Sequence, residues 1–197
     1  MNDMAYPYIY QEEAETPAIS IDEIKKYLKL NQYNVALDEE LTLMCATALS
    51  YAEKYTRQFF VKKTVTTTRC FWGEMRNGLF NKVFTLRRCP LVEVESIKYD
   101  DDKELPAENY KVIKKAGNYG QIILCGNLPE LETEWMPIEI KFVAGYEKLP
   151  NDIKLAMLQH IASMWMNRGD CDNDTYNKCP KISKDIYKKY KIMEVGV

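Results

Sequence analysis

The hydrophobic pattern is strongest over Leu149–Arg168, where it predicts a long helix around which the rest of the chain folds. Pro150 can start a helix, Asn151 or Asp152 can accept hydrogen bonds from the unpaired amides of its first turn, and Gly169 can end it. At 3.6 residues per turn, the apolar side chains cover roughly 220° of the helix surface. These side chains belong to Ile153, Leu155, Met157, Leu158, Ile161, Ala162, Met164, Trp165 and Met166. Because one neighbouring helix cannot cover so wide a stripe, we expect a sheet, a second helix or another copy of the protein to pack on it.

The remaining arc of this helix is polar. It holds the chain's only histidine, His160, together with Gln159, Ser163 and Asn167. A catalytic triad or a zinc site needs partners at fixed spacings, and neither H-x-x-x-H nor H-E-x-x-H occurs in the sequence. We therefore interpret His160 as a structural residue.

Two further helices are predicted near the N-terminus. Ser20-Ile21-Asp22-Glu23 is a capping box, S-x-x-E, which opens a short helix that runs through Leu30. After a loop, Asp38 is expected to cap a second helix that ends near Thr56. The apolar stripe of this second helix consists of Leu41, Met44, Cys45, Ala48, Ala52 and Tyr55. The two small alanines would allow another helix to approach closely, and the Leu149–Arg168 helix is the expected neighbour.

The chain changes character at Phe59, after which β-branched and alternating runs predict strands separated by short turns. One of these turns is Asp100-Asp101-Asp102. The six runs are Val61–Cys70, Asn81–Cys89, Val94–Tyr99, Tyr110–Lys114, Gln121–Cys125 and Ile138–Val143. Their spacing predicts an antiparallel sheet or a small β-barrel of about eighty-five residues.

These elements define an α+β fold class. It is a small helical bundle of two N-terminal helices, one long C-terminal helix and a short final helix, with an inserted antiparallel β-sheet or small β-barrel unit. The final helix is Ser183–Ile192, with Ile186, Tyr187 and Tyr190 on one side. The expected boundaries are a flexible N-terminal arm at 1–18, a helical core at 19–58 and 149–192, a β domain at 59–148 and a tail at 193–197.

The N-terminal arm shows neither helical nor strand periodicity. It carries Tyr6, Tyr8 and Tyr10, followed by an acidic patch of Glu12, Glu13 and Glu15. Two interpretations remain open, a frayed terminus or an arm that becomes ordered against a partner through its tyrosines.

Composition narrows the function classes. With 46% hydrophobic and 28% charged residues, the 197-residue chain has the profile of a soluble globular protein. Its net charge of −2 and its scattered lysine pairs exclude an overall positive field that would attract nucleic acid or anionic membrane. Neither a membrane-spanning run nor a secretory signal is present, so we expect the protein to stay in the cytoplasm where it is made. We expect the six cysteines to be reduced, mostly buried thiols.

Candidate chemistry is sparse. Cys171-x7-Cys179, with Asp170, Asp172 and Asp174, imitates a metal loop but lacks the C-x-x-C spacing and the EF-hand pattern. Asp100–Asp102 with Glu104 has the carboxylates for weak cation binding, although solvated turn carboxylates are the default. Signatures of nucleotide binding and acyl transfer are absent. We therefore predict no catalytic, cofactor-binding or metal-binding residue.

Aromatic residues at strand ends allow two interpretations. Phe71-Trp72 and Trp135 lie where residues that stack on sugars or bases are found. Such aromatics more often close a small core, and we take that interpretation here.

In their order, these elements resemble the head–tail connector (adaptor, or head-completion) proteins of long-tailed bacteriophages. The first similar stretch is ISIDEIKKYLKL, followed by a loop and an acidic, alanine-containing helix that ends near Tyr55-Thr56-Arg57. The second is Arg88–Tyr99, RCPLVEVESIKY, which is similar to the family's R-x-P-V-x-x-V-x-S-I-x-Y pattern. The third is Ala144-Gly145-Tyr146 followed by Leu149-Pro150-x-x-Ile153-Lys154-x-Ala156, which resembles the family's A-G-Y … L-P-x-x-I-K-x-A … R signature. Together these stretches cover most of residues 18–168.

The resemblance implies a non-enzymatic virion protein of the neck, made in the bacterial host cytoplasm. In the family, a ring of about twelve copies lies beneath the portal protein and docks the next neck or tail-completion protein. Double-stranded DNA passes through the ring without sequence-specific binding, and a slightly acidic chain suits such a channel. No membrane takes part. The expected interface residues toward other copies and partners are Tyr6, Tyr8, Tyr10, Met157, Ile161, Trp165, Ile186, Tyr187 and Tyr190.

Two alternatives from other classes remain. A nucleic-acid-binding accessory factor of phage DNA packaging needs a basic face, which scattered lysines can still build in three dimensions. A hydrolase that uses the β domain as a substrate platform needs a deep pocket with at least two carboxylates of perturbed pKa.

Overall fold

The computed structural model describes residues 8–11, 18–76, 79–100, 102–114, 119–133, 137–168 and 179–192. Within them the chain has an α+β fold, which confirms the predicted class. The chain divides into two units, and each is described by itself. One is a helical unit within residues 15–61 and 147–192, and the other is a β unit formed by strand β1 and residues 62–146.

The helical unit contains four α-helices and a short 3₁₀ helix, Val35–Leu37, among its described residues. The bounds of the α-helices are close to those predicted. They are α1 (Ile21–Tyr27), α2 (Asp38–Thr56), α3 (Asn151–Met166) and α4 (Lys181–Tyr190). Helix α2 packs against α1, α3 and α4, and α3 packs against α4. The stripe predicted on α2 forms its core face, since Leu41, Met44, Cys45, Ala48 and Ala52 are buried.

The start of α1 follows its capping signal. Ser20 Oγ accepts a hydrogen bond from the Glu23 amide at 3.3 Å, as the capping box predicts. The Glu23 carboxylate pairs with Lys154 of α3, and this hydrogen bond is the largest cause of its lowered pKa. The contact joins α1 to α3.

The predicted cap of α2 is wrong. Leu37 occupies the N-cap position without a side-chain hydrogen bond, and Asp38 is the first helical residue. The Asp38 carboxylate instead pairs with the buried Lys25 ammonium at 2.5 Å, and that ammonium also donates to the Gln32 carbonyl at 3.1 Å. A buried charge needs such partners, so an ion pair between α1 and α2 takes the carboxylate that a cap would have used.

The β unit is built of antiparallel sheets. Its strands are β1 (Tyr8–Gln11), β2 (Lys63–Arg69), β3 (Glu74–Arg76), β4 (Leu79–Asn81), β5 (Val83–Leu86), β6 (Leu91–Tyr99), β7 (Lys103–Glu104), β8 (Tyr110–Ile113), β9 (Gly120–Leu124) and β10 (Ile138–Ala144). The largest sheet has the order β1-β2-β10-β6-β7, a second sheet has the order β5-β9-β8, and β3 pairs with β4. Strand β10 lies at the centre of the largest sheet, and Ile138, Ile140, Phe142 and Ala144 on its inward face are fully buried.

Four residues of the predicted N-terminal arm are a strand. Tyr8–Gln11 pairs with β2 in the register Tyr8↔Thr67 to Gln11↔Thr64. The sequence showed no strand period because a four-residue edge strand is held by backbone pairing with its neighbour rather than by a long alternating run.

Candidate partner-binding surfaces

Helix α3 buries one face within its own unit. Its fully or nearly fully buried residues are Ile153, Ala156, Met157, His160 and Ile161. These positions recur at intervals of three and four residues, which places them on one side of the helix, facing α2 and α4. Helix α3 thus packs on two helices of its own unit, whereas α2 contacts all three other α-helices and holds the more central position.

The opposite side of α3 is also apolar. Leu155, Leu158, Ala162 and Met166 follow one another at intervals of three and four residues, and we call this line the outer ridge. Leu155 is 45% exposed and Met166 80% exposed, while Leu158 and Ala162 are half-buried. A helix that is apolar on two opposite sides is normally covered on both. The outer ridge is therefore a candidate partner-binding surface.

The C-terminal end of α3 is held to the start of α2 by Arg168. Its guanidinium carbon lies 3.5 Å from the centre of the Trp165 ring, and its Nη1 donates to both carboxylate oxygens of Glu40 at 3.2 and 3.0 Å. The Arg168 Nε also donates to the Trp165 carbonyl at 3.1 Å. Trp165, predicted as an interface residue, is thus half-buried and partly covered by its own chain.

Three of the predicted interface residues lie in the core. Met157, Ile161 and Tyr187 are fully buried within the chain, because α2, α3 and α4 close over them. A side chain without exposed surface cannot contact a partner, so these three residues do not form an interface while the helical unit keeps this packing. Sequence periodicity identified the wide stripe on α3, but it did not indicate which edge faces inward.

The other predicted interface residues lie in varied positions. Ile186 and Tyr190 are half-buried on α4, and the Tyr190 hydroxyl donates to Asp152 Oδ1 at 2.6 Å. Tyr8 and Tyr10 belong to β1, where their backbones pair with β2. Tyr6 lies outside the described residues.

His160 is not on a polar arc, contrary to the sequence interpretation. It is buried, its ring meets that of Tyr51 edge-on at 5.2 Å, and Tyr51 also contacts the fully buried Tyr187 ring at 6.1 Å. Burial lowers the pKa of His160 and raises that of Tyr187, so both side chains are held neutral. Such a neutral, aromatic-packed histidine fits the structural role that was predicted.

A second exposed apolar group surrounds the start of α2. Tyr33, Val35 and Leu43 are all well exposed. Sequence periodicity did not reveal them because Tyr33 and Val35 lie in the loop before α2, and Leu43 lies outside the helical stripe. The sequence indicated this exposure only in that large apolar residues occupy positions predicted to face solvent.

In the β unit, the Phe71-Trp72 pair divides between core and surface. Trp72 is buried, donates from Nε1 to the Pro129 carbonyl at 2.8 Å, and packs edge-on against Tyr99. Phe71 is 69% exposed and lines an open groove of about 780 Å³, together with Lys82, Glu130 and neighbouring loop residues. Trp135 lies outside the described residues.

The candidate cation site is occupied by internal hydrogen bonds. Asp100 Oδ1 accepts from the amides of Glu132 and Thr133, each at 3.1 Å. Burial opposes ionisation of Asp100, but these two amides, the Thr133 side chain and the nearby Lys103 ammonium together outweigh it and lower the pKa of the carboxyl. The Asp100 carboxylate therefore fixes the backbone at Glu132 and Thr133.

The five cysteines among the described residues are free thiols. Cys45 and Cys89 are buried, and burial raises the pKa of Cys89 to about 12 and that of the half-buried Cys179 to about 11. Thiols of such high pKa are poor nucleophiles and poor metal ligands at neutral pH. The Cys171-x7-Cys179 segment, which was not expected to bind a metal, lies outside the described residues except for Cys179. In the described ranges, no group of three His, Cys, Asp or Glu side chains is arranged to hold a metal ion.

None of the helices in the described part of the chain combines the length and apolarity that crossing a membrane requires.

Comparisons with known proteins give matches in structure only. No family model and no curated protein matches the sequence. One chain from the virion of a native gene transfer agent (GTA) particle has a TM-score of 0.73 at 16% identity. Chains from the neck of an empty GTA particle, computed with C6 symmetry, and of a native one, computed with C12 symmetry, have TM-scores of 0.74 and 0.70 at 18% and 16% identity. Each match covers 95% of this chain and 97% of the other.

This likeness shows a shared fold. Since the matches extend over nearly the whole of both chains, the helical unit and the β unit both have counterparts in those particle proteins.

Proposed function

We propose that this protein is a structural component of the neck of a phage-like virion, a head–tail connector. Copies of it assemble as a ring beneath the portal protein, extend the DNA channel and dock the next neck or tail-completion protein. The protein acts by binding and has no catalytic role.

The observation that carries this proposal is the match over nearly the full length to chains from GTA particles, two of them from necks. Fold alone does not determine function, but three ordered sequence motifs of this chain also resemble those of head–tail connectors. The motifs consist of residue identities, whereas the match consists of backbone geometry. The two observations therefore support the same class of protein on different grounds.

The surface of the helical unit supports an assembly role. A ring needs heterologous contacts, in which two different surfaces of one subunit meet on adjacent copies. The outer ridge of α3 and the exposed side chains of Tyr33, Val35 and Leu43 are candidates for such surfaces. We propose that the outer ridge contacts an adjacent copy, and that Ile186, Tyr190 and the arm around Tyr8 and Tyr10 face portal or tail partners.

Deletion of the gene from the phage that encodes the protein tests this function. We expect DNA-filled heads and separate tails to accumulate, and a wild-type copy of the gene supplied in trans to restore joined particles. Particles that join normally without the protein would contradict the proposal.

A further inference from the structure

Helix α4 presents a line of lysines to solvent. Lys181, Lys184 and Lys188 follow one another at intervals of three and four residues, so they lie on one side of the helix. We call them the lysine stripe. At 1.5 Å rise per residue the stripe is about 10 Å long. All three residues are exposed, whereas Ser183 and Tyr187 on the other side of α4 are buried.

Helix α4 and the residue that follows it are rich in lysine. Residues 181–191 contain five lysines and one aspartate, a net charge of +4 (5 − 1). In the part of the chain that the structure describes, no ion pair involves a residue of the lysine stripe. The first turn of α4 also lacks an acidic residue, although the helix dipole favours negative charge there. Among the described residues, no internal ion pair therefore accounts for the stripe, which leaves its charge available to an anionic partner.

We propose that the lysine stripe of α4 contacts the phosphate backbone of double-stranded DNA without reading its sequence. Lysine ammonium groups are mobile point charges, suited to phosphates that change position as a duplex moves. The exposed residues beside the stripe are Ile182, Asp185 and Lys189, and none is the arginine, asparagine, glutamine or aromatic residue that commonly reads or stacks on bases. This inference rests on the proposed neck function only for the source of the duplex.

Salt-dependent binding of a duplex by the purified full-length protein tests the inference. Each phosphate contact contributes about −0.9 to the slope of log K against log salt concentration, so the stripe should contribute about −2.7. Between 50 and 200 mM salt, that is a loss of roughly 40-fold in affinity. The measurement is fluorescence anisotropy of a labelled 30-base-pair duplex, repeated with two sequences, which should give the same slope.

The decisive variant is Lys181→Gln, Lys184→Gln and Lys188→Gln together. We expect its slope to be shallower than that of the wild type by about 2.7. The matched control is Lys26→Gln, Lys111→Gln and Lys114→Gln, which removes the same charge from exposed lysines elsewhere and should change the slope by less than about 1. Circular dichroism checks that both triple variants are folded.

Three results would overturn the inference. They are absence of duplex binding by the wild type at 25 mM salt, equal loss in the control variant, and displacement of the labelled duplex by poly-glutamate at a lower charge concentration than unlabelled duplex requires. The last result would assign the stripe to an acidic protein partner. None of the three bears on the neck proposal, which is judged by the joining of heads to tails.

Discussion

Placing two glutamates on the outer ridge of α3 should separate assembly from folding. The variant is Leu155→Glu with Met166→Glu, two positions that lie on the same side of the helix and are 45% and 80% exposed. Glutamate has a high helix propensity, and the mostly exposed Met166 tolerates substitution within about 0.5 kcal/mol. Leu155 is more than half buried in its own chain, so the isolated variant should be about 1–2 kcal/mol less stable than the wild type but still folded.

The effect on assembly is expected to be large. Complete burial of a leucine or methionine side chain contributes about 1.5–3 kcal/mol. When this range is scaled by the exposed fractions of Leu155 and Met166, an adjacent copy that covers both gains about 2–4 kcal/mol. Loss of this energy weakens each contact roughly 30- to 700-fold, before the cost of burying two carboxylates is added.

The assay is incorporation into particles. The variant gene complements a deletion strain, and the ratio of this protein to the major capsid protein is measured in purified particles. Phe71→Glu is the matched control, because its side chain is 69% exposed but lies in the β unit. Normal incorporation of the double variant, or an equal defect in the Phe71 control, would refute the assignment of the outer ridge.

Three further predictions concern stability. Gly120→Ala should destabilise the β unit by about 1–3 kcal/mol in urea unfolding. The reason is that a Cβ at this position would lie 2.8 Å from the Leu91 Cβ and closer still to the Leu91 Cδ2. An unchanged urea midpoint would contradict the close packing. Burial lowers the pKa of His160 from its usual 6.5, so the unfolded chain binds more protons than the folded one. The contribution of His160 to the free energy of unfolding is therefore complete above about pH 6.5 and declines as the pH falls through that value. His160→Gln should flatten this part of the curve of stability against pH, and an unchanged curve would show that other groups titrate there. A double-mutant cycle of Arg168→Ala and Glu40→Ala should give a coupling of about 0.5–1 kcal/mol, discounted for partial exposure, and a coupling of zero would mean that the ion pair contributes nothing to stability.

The helices were predictable because their signals are local. Repeating apolar positions marked α2 and α3 within two residues of their ends, and Ser20 marked the start of α1. The longer strands were also predictable, since β10 alternates between buried and more exposed positions along its whole length. The turn at Asp100 followed from its aspartates, and this residue has a positive φ of 46°.

What could not be predicted depends on partners distant in the sequence. Strand β1 exists through pairing with β2, more than fifty residues later, and nothing in YIYQ alone requires it. The Asp38 carboxylate was assigned to a cap because the competing Lys25 ammonium is not visible in a helix-start pattern. His160 was assigned to a polar arc and Met157 to an interface because an almost continuous apolar helix does not indicate which side is the inner one.

The grouping of lysines on one side of α4 also could not be predicted from the sequence. Counted along the sequence, lysine pairs are scattered and the chain is slightly acidic. Folding turns Lys181, Lys184 and Lys188 to one side of a single helix. Net charge therefore excluded a general attraction to DNA, but it did not exclude a local one.

The measurement that tests the central claim most directly is electron cryomicroscopy of the neck of the virions in which we propose that this protein assembles. The account predicts a ring of density between portal and tail into which the helical unit and the β unit fit, with the outer ridge of α3 against an adjacent copy. A neck whose rings are fully explained by other proteins would contradict it.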